Sequence, residues 1–161
     1  MTGYNTVCDF NWTGYLNRKN IFLKFSAADK HDAIAKLVGM LSSDDAIANK
    51  EEYLASVFER EELGTTGLGD SVAMPHGKCS AVSRMSIALA KLERPLDFES
   101  VDKKPVDYIF LIASPLNSDT LYIKVMASII RSVKMHKICE KMNMLDSAEE
   151  IYEMLLKTVA D

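Results

Sequence analysis

The chain reads as a single α/β layered domain, and three observations predict this. Short apolar runs with strand-like patterning alternate with longer segments whose apolar residues recur every three or four positions. Residues 106–113 are apolar almost without interruption, as in a central strand covered on both faces. The 161 residues, 48% hydrophobic and 26% charged, suffice for one buried core and match a soluble globular composition. No internal repeat, low-complexity tract or linker divides them.

Residues 1–17 place Tyr4, Phe10, Trp12 and Tyr15 among polar residues and read as a loosely ordered arm or a docked extension, with the domain proper at 18–161. Residues 21–25 (Ile-Phe-Leu-Lys-Phe) predict a strand. Ser26, with Asp29 three residues on, predicts a helix cap. Behind it Ile34, Leu37, Val38 and Leu41 form one buried stripe. Asn49 with Glu52 opens a second helix carrying Leu54, Val57 and Phe58, which ends near Leu63-Gly64. Residues 71–74 predict a short strand delivering Pro75-His76, and residues 85–92 a longer one. Pro115 ends the central strand. Ser118 or Asp119 caps a helix carrying Leu121, Val125, Met126, Ile129, Ile130 and Val133, and residues 146–149 start a last helix with Ile151, Met154 and Leu155 inward.

Composition excludes several functions. A net charge of −4 without a basic stripe argues against nucleic acid as a partner. No apolar run reaches the ~18 residues of a membrane span, and no basic region with an apolar core suggests a signal peptide. Cys8, Cys79 and Cys139 are odd in number and widely spaced, which favours a reducing cytoplasm over a disulfide framework. No cofactor is implied.

The stretch from Gly64 to Lys78 carries the chemistry. A glycine-rich turn, a short apolar run and Pro75 deliver His76, followed by Gly77 and Lys78. Neutral imidazole near pH 7 can act as a nucleophile. A phosphoryl group would need donors and positive charge around it. The amides of Gly67, Gly69 and Gly77 are candidate phosphate donors, and the planar fork of Arg60 is another. Each has a plainer reading: His76 as a hydrogen-bonded structural histidine in a turn, the glycines as turn formers, Arg60 as a cap on helix-end carbonyls, and Lys78 as a solvated charge in place of a point charge on the phosphate. Cys79, three residues beyond His76, has no further ligands around it in sequence, so no metal site is expected. The methionines at 85, 126, 135, 142, 144 and 154 read as core filler, with exposed members available for docking.

Arg60-Glu61-Glu62-Leu63-Gly64-Thr65-Thr66-Gly67-Leu68-Gly69, followed by Val72-Ala73-Met74-Pro75-His76-Gly77-Lys78, resembles the signature of the fructose/mannitol-type enzyme IIA (EIIA type-2) domain of the bacterial phosphoenolpyruvate-dependent sugar phosphotransferase system. The resemblance extends over about residues 21–158, including Lys104-Pro105-Val106-Asp107 and the closing Ser147-Ala148-Glu149-Glu150-Ile151-Tyr152. It implies a mixed β-sheet flanked by helices on both faces. It also implies a phosphotransferase in which Nε2 of His76 accepts a phosphoryl group from the carrier HPr. The group would pass to an enzyme IIB partner and, through the IIC permease, to an incoming sugar. Arg60 carries over as a phosphate-site residue. Many members of the family place a second histidine where this chain has Tyr122, which can donate a hydrogen bond but carries no positive charge at neutral pH. That departure keeps a second function open: a regulatory, nitrogen-type module whose His76 phosphorylation controls partner binding. A metal- or cysteine-dependent enzyme centred on His76 and Cys79 is the third class.

Overall fold

The computed structural model describes residues 10–41 and 45–160. Tyr4 and Cys8 lie outside them. A six-stranded mixed sheet is built from β1 (Leu16–Phe25), β2 (Gly67–Gly69), β3 (Val72–Ala73), β4 (His76–Lys78), β5 (Ser86–Leu96) and β6 (Val106–Ser114). The order is β1-β5-β6-β3-β2, and β4 continues beyond β3 along the same edge of β6. β1 pairs in parallel with β5, β5 antiparallel with β6, and β3 and β4 in parallel with β6.

Both faces of the sheet are covered, as the near-continuous apolar character of β6 requires. Its alternate residues split between two cores. Val106, Ile109, Leu111 and Ala113 pack in a cluster with Leu37, Leu41 and Val57 of α1 (Lys30–Leu41) and α2 (Lys50–Glu62). Tyr108, Phe110 and Ile112 join Val125, Ile129, Ile138 and Leu155 of α3 (Asp119–Lys134), α4 (Ile138–Met142) and α5 (Ala148–Ala160). No helix among the described residues is long and apolar enough to cross a membrane.

Several boundaries differ from the sequence expectation. β1 starts at Leu16, five residues early, because its register against β5 shifts between Leu16 and Ile21 and breaks the two-residue alternation. α1 is capped by Asp29 and not by Ser26: the Asp29 carboxylate accepts from the Asp32 amide at 2.8 Å, and Asp32 reaches back to the Ala28 amide at 2.9 Å. Asn49 caps α2 as expected, accepting from the Glu52 amide. Ser147 accepts from the Glu150 amide at the start of α5. The short elements β2, β4 and α4 were not legible in the sequence. The β2–β3 hairpin turns through Asp70 and Ser71, both at positive φ, the geometry of a tight primed turn.

Residues 10–17 pack into the fold. Trp12 is fully buried, its ring edge-on to Phe110 at 5.6 Å, and its indole N–H donates to Ser132 Oγ at 2.9 Å. Ser128 Oγ donates to the Phe10 carbonyl.

Candidate functional site

His76 opens β4, where the register pairs it with Ile112 of β6. Pro75 before it and the buried Met74 hold the approach extended. His76 Nδ1 lies 3.0 Å from the Met74 carbonyl oxygen. A carbonyl only accepts, so Nδ1 carries the proton and Nε2 keeps its lone pair. Burial pushes the pKa of His76 below the ordinary imidazole value of 6.5. The Met74 bond opposes this, the nearby Arg60 guanidinium adds to it, and Glu61 opposes it. The ring is therefore neutral at physiological pH, with one nitrogen fixed and the other available.

The ring faces a cavity of about 430 Å³ lined by Ser56, Glu59, Arg60, Leu63, Gly77, Lys78, Ser114 and Tyr122. Four elements build it: α2, β4, the end of β6 and α3. Arg60 comes from the last turn of α2, and its Nη1 donates to the Gly64 carbonyl at 2.8 Å. Tyr122 comes from the first turns of α3, its ring centroid 4.9 Å from that of His76. Burial raises the Tyr122 pKa well above the phenolic value of 10.0, and Arg60 lowers it only in part, so the hydroxyl stays protonated and able to donate. Lys78 Nζ pairs with Asp119 at 2.8 Å, tying β4 to the first turn of α3, one turn before Tyr122. Lys134 pairs with Asp70 at 2.9 Å and anchors the other end of that helix to the β2–β3 turn.

The loop from α2 to β2 is fixed by a buried carboxylate. Glu61 accepts from the Thr66 amide at 2.9 Å, the Thr66 hydroxyl at 2.6 Å and Lys30 Nζ at 3.0 Å. Burial lowers the pKa of Lys30, but Glu61 and Glu99 outweigh it and leave the amine above its ordinary value. Glu61 immediately follows Arg60, so this network also sets where α2 ends and where the guanidinium starts.

The structure thus brings together four of the six residues singled out from sequence: His76, Arg60, Gly77 and Tyr122. Gly67 and Gly69 do not line the cavity. The Gly67 amide donates to Thr65 Oγ1 at 3.0 Å, and a Cβ there would stand 2.9 Å from Ser100 Cα, so the glycine serves close packing. Gly69 has φ +95 and lies against the Asp102 carboxylate, where an anion would be repelled. Gly77 is a glycine because α2 presses on it: an added Cβ would meet Ser56 Oγ and stand 2.9 Å from the Val57 amide nitrogen. Sequence reasoning missed the hydroxyls of Ser56 and Ser114. Ser56 stands one turn before Arg60 on α2, an i, i+4 spacing that could have flagged it. Nothing in sequence marks Ser114, which depends on strand register. Cys79 is buried beside the α2 face, and His31 stacks on Phe58 at 4.0 Å, away from the cavity.

The family model described as "Phosphoenolpyruvate-dependent sugar phosphotransferase system, EIIA 2" matches residues 14–158. A nitrogen regulatory protein of Bradyrhizobium diazoefficiens is 36% identical over 107 residues, 66% of this chain and 70% of that protein. The crystal structure of the nitrogen regulatory protein IIA-Ntr from Neisseria meningitidis superposes with a TM-score of 0.82 at 27% identity, covering 89% of this chain and 97% of that one. Enzyme IIAMTL of Escherichia coli, solved in complex with phosphorylated enzyme IIBMTL, gives a TM-score of 0.74 at 25% identity, covering 88% and 96%. In two longer relatives the matched region is only 22% of the protein.

Proposed function

The chain belongs to the EIIA 2 family of the phosphoenolpyruvate-dependent sugar phosphotransferase system, and on that premise we propose that it is a phosphocarrier working through His76. The observation that carries this reading is the tautomer: Nδ1 is tied to the Met74 carbonyl, and Nε2 is left neutral and basic beside Arg60 and Tyr122. In this reading Nε2 attacks phosphorus as the bond to the donor HPr breaks. Arg60 offers a planar fork to the phosphoryl oxygens. Tyr122 donates its hydroxyl proton in a hydrogen bond, and Lys78 adds charge at the rim. The group then leaves for an enzyme IIB partner and, through the IIC permease, for a sugar. IIAMTL, solved with phosphorylated IIBMTL, supports the choice of partner. The unpaired, buried Cys79 and Cys139 support a cytoplasmic setting for this exchange.

The test is labelling with enzyme I, HPr and phosphoenolpyruvate. Wild-type protein should gain one phosphoryl group on His76, and His76→Ala should gain none. Wild-type labelling of the alanine variant would overturn the assignment.

A second reading has its own support, the nitrogen regulatory proteins among the relatives and structural neighbours and the uncharged Tyr122 in the site. Here the phosphorylated and free forms differ in which regulatory target they bind. Transfer from this protein to a IIB partner at a useful rate argues for transport. Partner affinity that changes with phosphorylation, without such transfer, argues for regulation.

A further inference from the structure

Ser114 ends β6 as the register partner of Lys78, two residues along from the pairing of His76 with Ile112. Side chains two apart on a strand share a face. His76, Lys78, Ile112 and Ser114 therefore project from one face of the sheet, the face that α3 covers, and Ser114 lines the same cavity as His76 and Tyr122.

Three features make its hydroxyl unusual. The residue is 2% exposed in an otherwise apolar strand end, where Ala113 precedes it. The bond recorded for its Oγ runs to the carbonyl of its own neighbour Pro115 at 3.2 Å, long for an O–H···O contact. The hydroxyls of Ser56, Ser128 and Ser132 reach their acceptors at 2.6, 2.9 and 3.0 Å. Pro115 also has no N–H, so this stretch of the cavity wall lacks the backbone donor that another residue would supply. Ser114 is thus a buried, poorly engaged donor at the wall of a cavity that otherwise offers Arg60 and Tyr122.

Resting on the phosphocarrier reading, we propose that Ser114 is a further catalytic residue. Its hydroxyl turns from the Pro115 carbonyl and donates to an oxygen of the phosphoryl group on His76 Nε2. No covalent bond to Ser114 forms or breaks. The Nε2–P bond forms with the histidine lone pair while the donor's bond to phosphorus breaks and its electron pair returns to the donor. The Ser114 proton stays on Oγ throughout.

The experiment compares wild type, Ser114→Ala and Ser114→Thr in phosphoryl exchange with HPr. The alanine variant should lose about tenfold in the equilibrium constant for phosphorylation, the scale of one hydrogen bond to a charged group. Its ³¹P phosphohistidine resonance should shift, and the unphosphorylated protein should melt within about two degrees of wild type. The threonine variant, which keeps the hydroxyl, should recover most of the loss. In wild-type protein the Ser114 Cβ resonance should move on phosphorylation, a readout that needs no variant. If wild type is labelled on His76 while alanine matches it in exchange and ³¹P position, or if the Cβ resonance stays still, the Ser114 assignment falls alone. If wild type is never labelled, it falls together with the phosphocarrier reading.

Discussion

The rings of His76 and Tyr122 meet at 4.9 Å between centroids with their planes inclined by 45°. One comes from a strand and the other from a helix on the same face of the sheet. His76 carries a lowered pKa, chiefly from burial, and Tyr122 a raised one from the same cause. Phosphoryl acceptance should therefore be level from about pH 7 upward and fall only on acidification below the ordinary imidazole pKa, as protonation removes the Nε2 lone pair. Tyr122→Phe should lower the rate about three- to tenfold without changing the shape of that profile. Initial rates between pH 5 and 9 check both. A profile that changes shape in the phenylalanine variant would mean that the phenol titrates.

Arg60 divides its guanidinium between the Gly64 carbonyl and the cavity that holds His76. A planar fork with five N–H donors can serve both at once. Arg60→Lys should lose roughly tenfold in transfer rate and Arg60→Ala roughly a hundredfold, with little change in stability, since the Gly64 bond is exposed. Stopped transfer assays paired with thermal melts separate the two effects. Equal rates for arginine and lysine would reduce Arg60 to a point charge.

Glu61 satisfies three donors from a site only 9% exposed. Glu61→Gln removes the charge and turns an amide N–H₂ toward donors. It should cost about 2–4 kcal/mol in urea unfolding. Lys30 binds its proton more tightly folded than unfolded. Its contribution is therefore fully present below the ordinary lysine pKa of 10.5 and is lost as pH rises through the higher folded value. Lys30→Met should remove that alkaline dependence, and an unchanged alkaline limb would show that the pair is not coupled to folding.

Gly77→Ala should be among the most damaging small substitutions, because its Cβ would press on Ser56 and on the Val57 backbone. Either α2 or β4 must move, at a cost of about 1–3 kcal/mol, and the shift should also lower phosphoryl acceptance. Gly14→Ala is the control, since nothing lies within 4 Å of the new atom. If the two variants melt together, the close approach of α2 to β4 is not tight in solution.

Trp12 is the single tryptophan of the chain, fully buried against Phe110 and bonded to Ser132. Emission should be blue-shifted in the native protein and move red in one step with global unfolding. Trp12→Ala should cost about 3–5 kcal/mol. A red shift at lower denaturant than the loss of helical circular dichroism would show that residues 10–17 undock first.

The chain's sequence by itself determined the layered class and the main helices, and it singled out His76 as the candidate nucleophile. The first two rest on local periodicity, and the last on the resemblance carried by the stretch from Arg60 to Lys78. It also brought Arg60 into view, because a charged residue at a helix end ahead of a glycine loop has few neighbours to choose from. Tertiary structure alone decided which donors meet His76. A glycine's amide points toward a ligand or into a turn according to strand pairing, so Gly67 and Gly69 went to packing and turning while Gly77 stayed at the cavity. Ser114 and Tyr122 reach the site only because β6 runs parallel to β4 in one particular register and α3 lies over that face. Shifting that pairing by one residue would turn Ser114 to the opposite face, and no pattern local to residue 114 encodes the choice.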